Sequence, residues 1–365
     1  MLAEERLNRL RSAMGKAQID AMVLYGNAWQ GDYLRYASDF GILEGHGIAV
    51  VTRDDGVQLF LDSAADAERA EVETPGADIH LVRDVTRAVS AWLDRAGNRT
   101  TAAAPRGFLP HGLTETDSGK RLADATAVVD ELLMHKLPGE VATIRSAARL
   151  ADEGYEVFKA AARPGRRQYE LVADVEAFLR ANGSADNFMI IGSGGQDVYG
   201  MAPPSQRRLA PGDLVTTELT PSIGGYYAQI CRTLVIGEAN AAQKRAFSVY
   251  REALEAGIAA VRPGVTAADV ARAENDVFRK YGLGDYVTNK YTRVRGHGMG
   301  LFADSKPHIL EDVDTKLVPG MALIVHPNTY HPEVGYMVLG DAVVVTDTGC
   351  EVLCGTPRDL FEVPA

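Results

Sequence analysis

The chain has 365 residues, 46% of them hydrophobic, and a formal charge of −11. That length exceeds the usual single core and predicts two domains, and the acidic balance disfavours nucleic acid, whose phosphates need clustered Lys and Arg. No apolar run is long enough to span a bilayer. The start, Met1-Leu2-Ala3-Glu4-Glu5-Arg6, lacks an apolar signal region. The cysteines (Cys231, Cys350, Cys354) make neither a full disulfide set nor a zinc-finger spacing. The expected setting is cytoplasmic, with no membrane and no nucleic-acid partner.

In chain order, residues 3–18 place Leu7, Leu10 and Met14 at helical spacing, and 19–25 read as a buried strand ending at Gly26. Residues 47–52 and 57–61 form a hairpin around Arg53-Asp54-Asp55-Gly56. Helices are expected at 64–72 and 86–96, with a short strand at 101–104. A domain boundary falls near 130–140. A long helix then runs to Ala162, Pro164-Gly165 ends it, and 169–181 make the next. Residues 188–191 read as a core strand, followed by Gly192-Ser193-Gly194-Gly195. That glycine run lacks Lys-Ser or Lys-Thr and a following helix, so it reads as a turn at a pocket rim rather than a phosphate cradle. A hairpin joins 214–220 to 226–236 through Ile223-Gly224-Gly225, helices cover 241–261 and 267–281, and the closing strands carry His297, His326 and Asp341.

The chemistry concentrates in the last third. Gly296-His297-Gly298-Met299-Gly300-Leu301 frames an imidazole with residues that have no Cβ, which lets backbone and substrate approach it closely. Around it stand, in order, Pro211-Gly212-Asp213-Leu214-Val215, Glu218, Gly225-Tyr226, Cys231-Arg232-Thr233, Gly237, Pro319-Gly320-Met321, His326-Pro327, Gly335, Asp341 and Gly349. This ordered series resembles the pita-bread family of Xaa-Pro dipeptidases, aminopeptidase P, methionine aminopeptidase and creatinase. The resemblance implies an α/β (α+β) protein with a creatinase/prolidase-like N-terminal domain over 1–130 and a pita-bread catalytic domain over 135–365.

Metal-dependent members of that family hold two divalent ions with Asp, Asp, His, Glu and Glu. At the matching positions this chain has Glu218, Gln229, His297, His326 and Gly340. Two dications about 3.5–4 Å apart need bridging carboxylates to offset their repulsion, and Gln229 and Gly340 remove both. The resemblance to creatinase then implies metal-independent, His/Glu acid–base hydrolysis of a C–N bond in a small non-peptide molecule of amide, ureido or guanidino type, without a cofactor. His297 and His326 would share the acid and base roles, with Glu218 as the partner of His297. Tyr227, Gln229, Met201, Asp304 and Asp341 are expected to line the substrate pocket, and Arg232 to form a structural ion pair. Asp304 and Met201 each stand where the family keeps a histidine. The open alternatives are a hydrolase or peptidase with one divalent ion on Glu218, His297 and His326, a lyase acting on a small acid, and a non-catalytic binding protein. A homodimer is expected, as in creatinase.

Overall fold

The computed structural model describes residues 2–365 and separates into two compact units, Met1–Leu133 and Met134–Ala365. In the first unit, a six-stranded sheet runs in the order Ala77–Leu81, Val57–Leu61, His46–Thr52, Ala21–Asn27, Thr101–Ala104, Ala123–Asp124. The Gly47↔Leu61 to Val51↔Val57 register confirms the hairpin read around Gly56. Helix Val85–Arg95 is set by Asp84, whose carboxylate accepts the Arg87 N–H at 2.9 Å, satisfying one orphan amide of the first turn. It buries Val85, Val89 and Leu93 against Val23, Ile48, Val50 and Phe60, each side chain contributing about 1.5–3 kcal/mol by leaving water. The edge strand Ala77–Leu81 was not anticipated. Its residues Ala77-Asp78-Ile79-His80-Leu81 do alternate apolar and polar, the period of a strand, but over five residues only; His80 Nε2 lies 3.0 Å from an Asp78 carboxylate oxygen.

The second unit is organised by a ten-stranded sheet. Its main path is Ser305–His308, Gly296–Gly298, Ala322–Val325, Gly340–Val345, Ile230–Ile236, Leu214–Ile223, Asn187–Gly194, with every neighbouring pair on this path antiparallel. Helices Pro138–Ala161 and Gln168–Ala181 pack on one half of the sheet through Ile191, Val215, Leu219, Ile230 and Leu234. Helices Ala241–Ala260 and Ala267–Lys280 pack on the other half through Leu323, Val325, Val343 and Val345. Because side chains alternate along a strand, these contacts fix which residues face the opposite side. Glu218 lies opposite Leu219, His326 opposite Val325, and Cys231 opposite Ile230. The same alternation puts Asp341 and Arg232 on the helix side.

The glycine run is not a turn. Its first three residues continue the strand Asn187–Gly194, and Gly192 is required there because a Cβ would lie 2.7 Å from Thr216 Oγ1. A glycine hidden in a paired strand is invisible to propensity, since only a close approach explains it.

Candidate active site

His297 lies in the three-residue strand Gly296–Gly298, paired with His308 on one side and Ile324 on the other. The flanking glycines are sterically obligatory. A Cβ on Gly296 would sit 2.0 Å from Ile324 O, and one on Gly298 would sit 2.1 Å from Lys306 O. The ring Nδ1 is 3.0 Å from the Gly298 carbonyl. A carbonyl only accepts, so Nδ1 carries the proton and Nε2 presents its lone pair. Burial lowers the His297 pKa, against the opposing pull of Asp304, so the ring is neutral near pH 7.

His326 meets His297 edge to face, with ring centroids 5.6 Å apart. Burial, then the neighbouring His297 and Arg295, push its pKa down to about 3. Its Nδ1 is buried and has no hydrogen-bond partner among the described residues. A buried polar atom left unpaired costs about 1–3 kcal/mol, which is tolerable where a ligand completes it.

Glu218 does not pair with His297, correcting the expected partnership. Its Oε1 accepts from Asn328 Nδ2 at 2.9 Å, and the Cys231 thiol supplies a second hydrogen bond. Burial raises its carboxyl to about 7, these two bonds opposing the rise. Asp304, mostly exposed, accepts from His308 Nε2 at 3.0 Å and lies 3.7 Å from His297 Nδ1. Burial works to raise the Asp304 carboxyl, but the His308 hydrogen bond and the neighbouring His297 and His308 rings outweigh it, so the net direction is down. The same bond raises His308.

The remaining sequence-derived residues divide. Gln229 is buried with its amide 3.4 Å from Cys231 Sγ, on the pocket side of the sheet. Met201 lies over Gly192, its Cγ 3.5 Å from the position of a Cβ there, on the face that Glu218 shares. Tyr227 donates its hydroxyl to Asp186 at 2.8 Å and its backbone N–H to Gly300 O at 2.8 Å; the backbone bond ties it to the far end of the Gly-His-Gly-Met-Gly segment. Asp341 is the correction. It points to the helix side, its oxygens accept from Arg232 (2.7 Å) and Arg358 (2.6 Å), and it is 1% exposed, so it does not face the side that carries His326 and Glu218. Arg232 is the structural partner expected of it. Sequence reasoning missed Asn328, whose amide ties Glu218 to the backbone of Leu339 (Leu339 N–H to Oδ1, 3.1 Å), and His308. Both were within reach: Asn328 directly follows His326-Pro327, and His308 is four residues from Asp304.

A pair of divalent ions does not fit these residues. Gln229 offers a neutral amide, and the place of the last carboxylate is sterically closed: a Cβ on Gly340 would fall 2.6 Å from His326 Cβ and 2.9 Å from Val325 O. Among the described residues, no three His, Cys, Asp or Glu side chains converge as a ready-made ion cage. Glu218 is held by Asn328 and Cys231 rather than joined to the two imidazoles. The donors that remain on this face are the two imidazoles, which burial keeps neutral.

Residues 142–347 match metallopeptidase family M24, and residues 6–134 match the creatinase/prolidase N-terminal domain. The probable dipeptidase PepE of Mycobacterium bovis is 31% identical over 291 residues, 76% of each chain. An Xaa-Pro dipeptidase of Pyrococcus furiosus is 29% identical over 249 residues, covering 68% of this chain and 70% of that one. Among solved structures, an Xaa-Pro dipeptidase from Bacillus anthracis superposes with a TM-score of 0.84 at 25% identity, covering 99% of this chain and 100% of that one. These relatives overturn two expectations: a metal-independent, creatinase-like hydrolase of a non-peptide substrate, and the absence of a cofactor. The matched family is one of metallopeptidases and the relatives bear dipeptidase names. The loss of bridging carboxylates argues against two ions, but it leaves two neutral imidazoles as a donor pair, in line with the alternative that keeps a divalent ion. The chain belongs to metallopeptidase family M24, as a pita-bread hydrolase of the Xaa-Pro peptidase family with a creatinase/prolidase N-terminal domain.

Proposed function

We propose that this chain hydrolyses the C–N bond of a small dipeptide-like substrate, using a single divalent ion on His297 and His326. The observation that carries the reading is the imidazole pair. The two rings meet at 5.6 Å, burial holds both neutral, and His326 Nδ1 is buried without a hydrogen-bond partner among the described residues. Dipeptidase names among the relatives supply the substrate class.

When bound, the ion supplies a Lewis acid for the scissile carbonyl and lowers the pKa of water. The chain's own residues do the rest. Glu218, with its carboxyl near 7, takes a proton from the attacking water and returns it to the leaving nitrogen, since an acid–base group works best close to the operating pH. Asn328 fixes the carboxylate through Oε1. Gly298 O fixes the His297 ring and its tautomer, with the Asp304–His308 pair beside it. Met201 gives the pocket a wall less polar than the histidine it replaces.

The test is turnover of a panel of Xaa-Pro and other dipeptides with Mn(II), Co(II) or Zn(II) added to chelator-stripped protein. Cleavage that saturates at one equivalent of ion is expected; no cleavage of any dipeptide with any ion overturns the reading. The homodimer is part of the same proposal, and light scattering in solution tests it.

A further inference from the structure

We infer that Arg295 is a positioning residue of this site, a clamp that holds the His326–Asn328 turn in register; the catalytic part of this inference rests on the hydrolase reading above. Arg295 is 0% exposed and directly precedes the Gly-His-Gly segment. Its backbone N–H donates to Ile309 O at 2.9 Å and its carbonyl accepts the His326 N–H at 2.9 Å. Its side chain then reaches the other end of the same turn, Nη1 donating to the Asn328 carbonyl at 3.0 Å, while Nη2 donates to Thr292 O. Within the turn, the Asn328 N–H donates to His326 O at 2.8 Å. One residue therefore grips both ends of the segment that carries His326 and the amide holding Glu218.

A guanidinium buried only for stability is a poor choice, because apolar residues of similar volume often do as well or better. Its electrostatic neighbour is Glu274 on helix Ala267–Lys280. Glu274 is 0% exposed, and neither of its oxygens has a hydrogen-bond partner among the described residues. Gly257 on the neighbouring helix makes room for it, since a Cβ there would lie 2.6 Å from Glu274 Cγ. The Phe278 ring, 5.8 Å from Arg295 Cζ, covers the guanidinium. Burial pushes the Glu274 carboxyl well above its usual range, with Arg295 opposing the rise, and Glu274 takes none of the Arg295 hydrogen bonds, which leaves Nη1 and Nη2 for the two carbonyls. A lysine could supply the charge but not two donors in a fixed plane.

The experiment separates stability from positioning. Arg295→Met alone strands a buried acid and is expected to unfold more easily. Arg295→Met/Glu274→Met removes both charges and is expected to recover the fold. In that double variant, backbone amide exchange at His326 and Asn328 should quicken by about tenfold or more while the rest of the sheet keeps its protection. With Ala-Pro and Mn(II), kcat should fall about 10–100-fold with KM within about threefold, because a displacement near 1 Å costs that order in rate. Arg295→Lys should restore thermal stability but not kcat. Wild-type exchange at His326 and Asn328 in the double variant, or a wild-type kcat despite faster exchange, overturns the clamp. If the wild-type chain cleaves no dipeptide, the proposed function fails, and the exchange measurement still decides the clamp.

Discussion

Replacing Glu218 with Gln is expected to stabilise the protein above pH 7 while removing its turnover. The carboxyl moves from 4.5 to about 7 on folding. Each pKa unit corresponds to about 1.4 kcal/mol, so ionised Glu218 costs the folded state up to about 3 kcal/mol, and water reaching its partly exposed side trims that to about 1–3 kcal/mol. The sign follows from proton uptake. Between pH 4.5 and about 7 the folded chain holds a proton that the unfolded chain has released, so stability falls as pH rises through that window. Below it, Glu and Gln are both neutral. Gln keeps an oxygen for Asn328 Nδ2, so the swap preserves shape. Thermal unfolding of chelator-treated protein should show no difference at pH 4.5 and a gain of several degrees at pH 8, at about 2–4 °C per kcal/mol for a unit of this size. kcat should fall by about 10²–10⁴. A Glu218→Gln protein less stable than wild type at pH 8 would refute the reasoning, because it would mean that the carboxylate is ionised and held by a cation.

Asp341→Ala should cost about 3–5 kcal/mol in urea unfolding, since it leaves Arg232 buried without its counter-charge; a loss under about 1 kcal/mol would place the pair outside the core. Gly340→Ala should lose about 1–3 kcal/mol from the overlap with His326 and Val325, and wild-type stability there would contradict the closed ligand position. His326→Glu should not create a second ion site, because Gln229 and Gly340 still withhold the bridges; two equivalents of Mn(II) in that variant would show that the geometry relaxes. His297→Ala should abolish turnover with the fold retained, read by activity beside circular dichroism.

The sequence displayed most of the long elements and both histidines because these rest on local signals: helical spacing at Leu7, Leu10 and Met14, a turn at Gly56, and a glycine-framed imidazole. It hid what depends on the sheet. That Asp341 points away from His297 follows from strand parity against the helices, which no motif states. Glu218 chose Asn328 and Cys231 over His297 because cross-strand pairing puts Cys231 directly opposite it. The clash that closes the Gly340 position involves Val325 and His326 of a neighbouring strand. The metal reading failed for a different reason: counting lost carboxylates shows why two ions cannot bind, but not that burial leaves both imidazoles neutral and one nitrogen unpaired.

The central claim is that two imidazoles hold one ion in a dipeptide-cleaving site, and elemental analysis of stripped protein reloaded with Mn(II), run beside Ala-Pro cleavage, tests it most directly. One equivalent is predicted, lost in both His297→Ala and His326→Ala, with cleavage rising in step with loading. Two equivalents, none, or one that survives both substitutions would contradict it.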